Sequence, residues 1–146
     1  MMMFRIIPLY PELISIGNNV WIASGVSFVT HDVIHSMLNN YIPDFTFQEK
    51  IGCIVIKDNV FIGAGTTIMS NVSIGPNVVV GAGSLINKSL APGGVYAGIP
   101  AKYICSLEEF VEKRKKDNNL IVKKRNEELS VETVKQCWKC FIRDHS

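Results

Sequence analysis

Few side chains in this sequence are equipped for chemistry, and His31 leads them. The chain holds three histidines (His31, His35 and His145) and four cysteines (Cys53, Cys105, Cys137 and Cys140). An imidazole exchanges its proton close to neutrality, so a histidine set beside a hydroxyl or an amine makes a general base. Asp32 follows His31 directly, and Asp32, Asp44 and Glu49 are the carboxylates that could orient the ring. The cysteines offer less. Cys137 and Cys140 form a CxxC pair near His145, but a structural zinc site wants four ligands and a thioredoxin-like pair wants a βαβ setting. Reduced thiols on a helix, with no metal required, are the expectation.

His31 is positioned by a repeat. Ile56, Ile62, Ile68, Ile74, Val80 and Ile86 recur every six residues. Val60, Thr66, Val72, Val78, Ser84 and Leu90 stand four residues after each, all small or apolar. Asn59, Gly65, Asn71, Asn77, Gly83 and Ser89 fill the slot between. An α-helix repeats at about 3.6 residues and a strand at about 2, so a period of six belongs to neither alone. It suits short strands joined by sharp corners, aliphatics inward, with Asn or Gly in the left-handed conformation at each corner. Repetition of this kind selects an all-β solenoid.

The register also runs backwards through Phe28, Ile22, Ile16, Tyr10 and Phe4, with Val26, Val20, Ile14 and Pro8 as companions. Asn19 and Gly25 fit the corner slots, whereas Leu13 and Ile7 fit poorly and predict an irregular N-terminal turn. His31 falls in the next corner slot, where a side chain projects outward. The register then breaks, and an insertion of about 32–53 carries Tyr41, Pro43, Asp44, Phe45 and Phe47. Insertions in solenoids emerge on one face, often the binding face. Substrate contact by this loop is the expectation, and cover for apolar surface the alternative.

Beyond Ala91, Pro92, Gly93, Gly94 and Pro100 close the coils. Ser106 with Glu109, and then Ser130, open two helices with apolar stripes suited to capping the solenoid or meeting a neighbouring subunit. The Lys113–Lys116 and Lys123–Arg125 clusters read as solvated helix faces rather than phosphate sites. At 146 residues the chain has the length of one domain with its own core, and 47% hydrophobic against 19% charged residues is a globular balance. A net charge of +2 gives no case for nucleic acid. No apolar run is long enough to span a membrane, and "MMMFRIIPLYPEL" makes a poor signal peptide, so a cytoplasmic protein is expected.

"ISIGNNVWIASGVSFVTHD", "IGAGTTI" and "IGPNVVVGAGSLINKSLAPGGVYAGIPAK" resemble the hexapeptide-repeat acyltransferases, in particular the sugar O-acetyltransferase branch. The resemblance covers roughly residues 4–104. It implies a left-handed parallel β-helix domain over 1–104, and the helices read above make 105–146 a helical extension. It further implies a homotrimer with sites between subunits, acetyl-CoA as donor and a sugar or nucleotide-sugar acceptor. His31 matches the family's catalytic base, with direct transfer and no acyl-enzyme. Ala23, Ser24, Ala64, Gly65, Ala82 and Gly83 match positions lining the pantetheine arm, while Asn87, Lys88 and Lys102 stand near the CoA phosphates. Asp32, His35, Tyr41 and Asp44 are the acceptor candidates. N-acetylation of an amino sugar or other amine, or a scaffold without catalysis, are the rival readings. The γ-type carbonic anhydrase on the same solenoid is set aside, since it needs three convergent histidines and none lies between Ile56 and Ala91.

Overall fold

The computed structural model describes residues 9–117, 121, 123 and 126–146. Phe4, Ile7, Pro8, Lys124 and Arg125 of the patterns above lie outside them. The chain divides into two units, Met1–Glu108 and Glu109–Ser146.

The first unit is built from coils of three short strands. After a 3₁₀ turn at Pro11–Leu13, the first coil comprises β1 (Ile14–Ile16), β2 (Val20–Ile22) and β3 (Ser27–Val29). An excursion follows: β4 (His31–Asp32), α1 (Ile34–Tyr41) and β5 (Lys50–Ile51). The second coil is β6 (Ile54–Ile56), β7 (Val60–Ile62) and β8 (Thr67–Met69), and the third β9 (Val72–Ile74), β10 (Val78–Val80) and β11 (Leu85–Ile86). Then come β12 (Gly94–Ala97) and β13 (Lys102–Ser106). Like strands of successive coils pair in parallel, giving sheets β1-β6-β9, β2-β7-β10-β12 and β3-β8-β11, with β13 added antiparallel to β12.

Register follows the sixfold pattern. Val60 stands opposite Val20 and Val78, and Ile68 opposite Phe28 and Ile86. Ile56, Ile62, Ile68, Ile74, Val80 and Ile86 are buried to 1% exposure or less, and their companions Val60, Thr66, Val72, Val78, Ser84 and Leu90 are buried beside them. The two polar companions are satisfied: Thr66 Oγ1 and Ser84 Oγ both donate to the Gly81 carbonyl, at 3.3 and 2.7 Å. The corners are left-handed as the sequence demands, with φ of 52° at Asn19, 56° at Asn59, 64° at Asn71 and 59° at Asn77, and about 70° at Gly25, Gly65 and Gly83. Along one edge the asparagines form a ladder. Asn19 Nδ2 donates to Asn59 Oδ1 at 2.9 Å, and Asn59 Nδ2 to Asn77 Oδ1 at 3.0 Å.

Three expectations are corrected. His31 is not a left-handed corner residue: it starts β4, paired with Ile51 of β5. No turn is needed there because the chain leaves the coil at Thr30 and returns at Gly52, whose N–H donates to the Thr30 carbonyl at 2.9 Å. Ser89 has no positive φ either. The path into the last coil is shorter, so Leu90 comes opposite Ile74 instead of Val72, and Ser89 Oγ accepts the Ser73 N–H. At the N-terminus Tyr10, expected to point inward, is itself left-handed (φ 59°), while Leu13 ends the 3₁₀ turn.

The second unit contains most of α2 (Leu107–Asp117) and all of α3 (Val131–Asp144). Ser130 caps α3 by accepting the Thr133 N–H at 3.1 Å. Val131, Val134, Trp138, Phe141 and Ile142 form its apolar stripe and are exposed. On α2, Lys115 pairs with Glu112 and Arg114 lies over the Phe110 ring.

Substitutions at two positions test this packing. Ile62→Ala empties a fully buried site and should cost about 2–5 kcal/mol in urea unfolding of the full chain. Asn59→Val puts a β-branched residue at φ 56° and breaks the ladder, for about 1–3 kcal/mol. Asn59→Gly, which tolerates the angle, should cost distinctly less than Asn59→Val.

Candidate functional site

His31 sits at the neck of the excursion, where Thr30 is held on both sides. The Thr30 hydroxyl donates to the Leu9 carbonyl at 2.6 Å, and its own carbonyl accepts from Gly52. Both bonds hold the residue just before the histidine, and the second closes the neck where β4 leaves and β5 returns. The imidazole is half-buried, its Nδ1 buried without a hydrogen-bond partner. Tyr10 packs against it edge-on, ring centroids 5.2 Å apart at 79°. The Tyr10 hydroxyl donates to both carboxylate oxygens of Glu49 at 3.3 Å.

Tyr10, Glu49 and His31 thus form one cluster drawn from the N-terminal turn and both ends of the excursion. Glu49 was among the candidate carboxylates, but Tyr10 carried no sequence signal beyond its place in the repeat. The negative charge of Glu49 raises the Tyr10 pKa, with burial, the hydrogen bond to Glu49 and the charge of Glu12 adding to it. The phenol therefore stays a donor throughout the neutral range.

The other expected acceptor residues separate by role. Asp32 Oδ1 accepts the Ile34 N–H at 3.1 Å, which secures the first turn of α1. His35 lies on α1, half-buried, its Nδ1 likewise without a partner. Tyr41 ends α1 and is 78% exposed, and Asp44 is exposed in the loop beyond. That loop is pinned by Asn39, which donates to the Phe47 carbonyl and accepts its N–H. Val33, Ile34, Met37 and Phe45 leave the excursion with much exposed apolar surface.

The small residues expected along a pantetheine arm form a column on a different corner. Gly65 N–H donates to the Ser24 carbonyl at 3.0 Å and Gly83 N–H to the Ala64 carbonyl at 2.8 Å, so 23–25, 63–65 and 81–83 stack coil on coil. Ser24, Ala64, Gly65, Ala82 and Gly83 are exposed and Ala23 half-buried. A Cβ built on Gly65 or Gly83 would meet nothing within 4 Å, which leaves this edge open for a thin extended ligand. The column and His31 flank opposite ends of β3, about 20 Å of extended chain apart at most. Lys88 is exposed just beyond β11, two coils along from Thr30, and Lys102 is exposed at the start of β13.

Among the described residues no group of three or more His, Cys, Asp or Glu could hold a metal ion. All four cysteines are free, and His145 stacks on Phe141 with Nδ1 2.7 Å from the Phe141 carbonyl. No helix among the described residues is long and apolar enough to cross a membrane.

The Tyr10–Glu49 bond gives a pH prediction. Its phenol pKa is raised on folding, so the stability it contributes is complete below about pH 10, the unperturbed tyrosine value, and is lost as pH rises through the folded pKa. Ultraviolet titration of the phenols should show a late-ionising component in the wild type that is lost in Tyr10→Phe.

Residues 53–88 match the family model described as bacterial transferase hexapeptide (six repeats). The chain is 36% identical over 97 residues to the galactoside O-acetyltransferase of Escherichia coli, covering 66% of this chain and 45% of that protein. Among solved structures, a maltose O-acetyltransferase from Clostridium difficile is 37% identical with a TM-score of 0.56, covering 64% of this chain and 48% of the other. The N-acyltransferase AntD from Bacillus cereus, in complex with dTDP-4-amino-4,6-dideoxyglucose and coenzyme A, is 28% identical with a TM-score of 0.54, covering 72% and 60%. The chain spans about half the length of the curated relatives it matches. Parallel coils, left-handed Asn and Gly corners and this match together identify residues 53–88 as hexapeptide repeats of the bacterial transferase type.

Proposed function

We propose that this chain is an acetyl-CoA-dependent O-acetyltransferase acting on a sugar hydroxyl in the cytoplasm. The observation that carries the reading is His31, a half-buried imidazole at the mouth of the excursion whose surroundings are fixed by the clamped neck. The coils wind left-handed, as the family resemblance implies. Sugar as the acceptor class is supported by the names of the relatives and by the sugar nucleotide in the AntD complex.

In this reading His31 accepts the proton of the acceptor hydroxyl as that oxygen attacks the thioester carbonyl. The tetrahedral intermediate collapses with cleavage of the carbon–sulfur bond, and His31 returns the proton to the departing thiolate. The products are the acetyl ester and free CoA. No side chain is acylated. Asp32, His35, Tyr41 and Asp44 are carried forward as acceptor-side residues, and Asn87, Lys88 and Lys102 as partners of the CoA phosphates.

Ala23, Ser24, Ala64, Gly65, Ala82 and Gly83 would take the pantetheine arm along their open edge. They flank the far end of β3 from His31, and in this reading a complete site pairs His31 of one protomer with the column of another. A homotrimer meets that need. Trp21 and Phe61, side by side on the outer face of the second sheet and both exposed, give apolar surface for the assembly. The likeness to AntD favours a second reading, N-acetylation of an amino sugar, in which His31 deprotonates an attacking amine.

Thiol release from acetyl-CoA should therefore depend on a sugar or amino-sugar acceptor, and the productive acceptor separates the two readings. His31→Ala should lower kcat by about 100-fold or more while CoA binding by calorimetry stays within about twofold. Folded wild type that binds no CoA would sink the enzyme reading and leave a scaffold.

A further inference from the structure

We infer that Tyr10 is a positioning residue for His31, acting through its ring and through the Glu49 carboxylate that it holds. The inference rests on the reading of His31 as the base, and its support comes from three separate features of the fold.

The first is register. His31 stands opposite Ile51 in the β4–β5 pair, so Glu49, two residues before Ile51, continues on the same side of the ribbon. It is a diagonal neighbour of His31, at about 7–8 Å between backbones. The second is contact: one tyrosine touches both groups, its ring edge-on to the imidazole and its hydroxyl on the carboxylate. The third is strain. Tyr10 has φ 59° and ψ 56°, a conformation that is a genuine outlier for a bulky side chain. The Leu13 N–H bond to the Tyr10 carbonyl and the Thr30 bond to Leu9 hold it there. Strain of this kind persists only where surrounding structure over-determines it, and it gathers at functional sites.

The remaining charged and titratable groups around His31 do not duplicate this role. Asp32, on the same strand, is engaged with the Ile34 N–H and faces Lys50 across the pair. Glu12 lies close enough to Tyr10 to add to its raised pKa. His35, on α1, has its Nδ1 buried and unpartnered. Glu49 is thus the carboxylate that Tyr10 ties to the imidazole. When His31 takes the acceptor proton and becomes cationic, the Glu49 charge stabilises it, and the Tyr10 ring limits rotation of the imidazole. Tyr10 in turn keeps the Glu49 carboxylate from swinging away into solvent.

The test uses the full chain and two readouts, the split between kcat and KM and the proton NMR shifts of the His31 ring. Glu49→Gln should lower kcat by about threefold while KM for acetyl-CoA stays within about twofold. Tyr10→Phe keeps the ring and loses the hydroxyl, so it should lower kcat less, again with KM unchanged. Tyr10→Leu removes the aromatic edge from the imidazole, so it should move the His31 ring-proton shifts and lower kcat by about tenfold with CoA binding unchanged. Should Tyr10→Leu fail to fold, the other two variants decide. A kcat indistinguishable from wild type in Glu49→Gln and Tyr10→Phe would overturn the inference. If His31→Ala retained full turnover, the base reading would fail instead, and the NMR shifts would still report whether Tyr10 packs on that ring.

Discussion

The left-handed corner is the constraint on which the rest of the molecule depends. Each regular coil turns three times, and an L-residue with a side chain costs about 1–2 kcal/mol in that conformation. Glycine meets the demand at 25, 65 and 83 by having no Cβ. Asparagine meets it at 19, 59 and 77, where the side-chain ladder offsets the strain and ties one coil to the next. With the corners fixed, two residues of every six must face inward. The isoleucine and valine core follows from that, and so does the parallel register of the three sheets.

The same device shapes the proposed site. On the glycine edge the absence of side chains leaves backbone exposed along three coils, the edge to which the proposed function assigns the pantetheine arm. Where a corner is missing altogether, between Thr30 and Gly52, the chain departs into the excursion. His31 is placed by that departure. A side chain at the mouth of an insertion can be met by groups from elsewhere in sequence, as the Tyr10 ring meets His31 here while its hydroxyl reaches Glu49.

The sixfold pattern made the core, most of the corners and the excursion legible because each is a local consequence of side-chain size and backbone preference. Ser130 likewise announced its helix through its own hydroxyl. What the pattern missed is long-range. Counting in sixes put His31 in a corner, yet the chain does not turn there because the antiparallel partner Ile51 lies twenty residues away. The shortened path after Ile86 depends on Ser89 meeting Ser73, which no spacing reveals. Tyr10 read as one more inward residue, and only folding brings its hydroxyl to Glu49. The hairpin and helix within the excursion leave no sequence signal because its polar and aromatic residues follow no clear period.

In the proposed function His31 and the open glycine edge complete one acetyl-transfer site only across two protomers, and subunit complementation is the measurement that decides it. His31→Ala and Ala82→Trp, each inactive alone by loss of the base or obstruction of the edge, would be unfolded together, refolded and checked for mixed trimers by native mass spectrometry. The account predicts recovery of about a quarter of the wild-type rate in an equal mixture, the share of interfaces that unite the two intact halves. Mixed trimers that stay inactive, or full turnover by wild type held as a monomer, would contradict it.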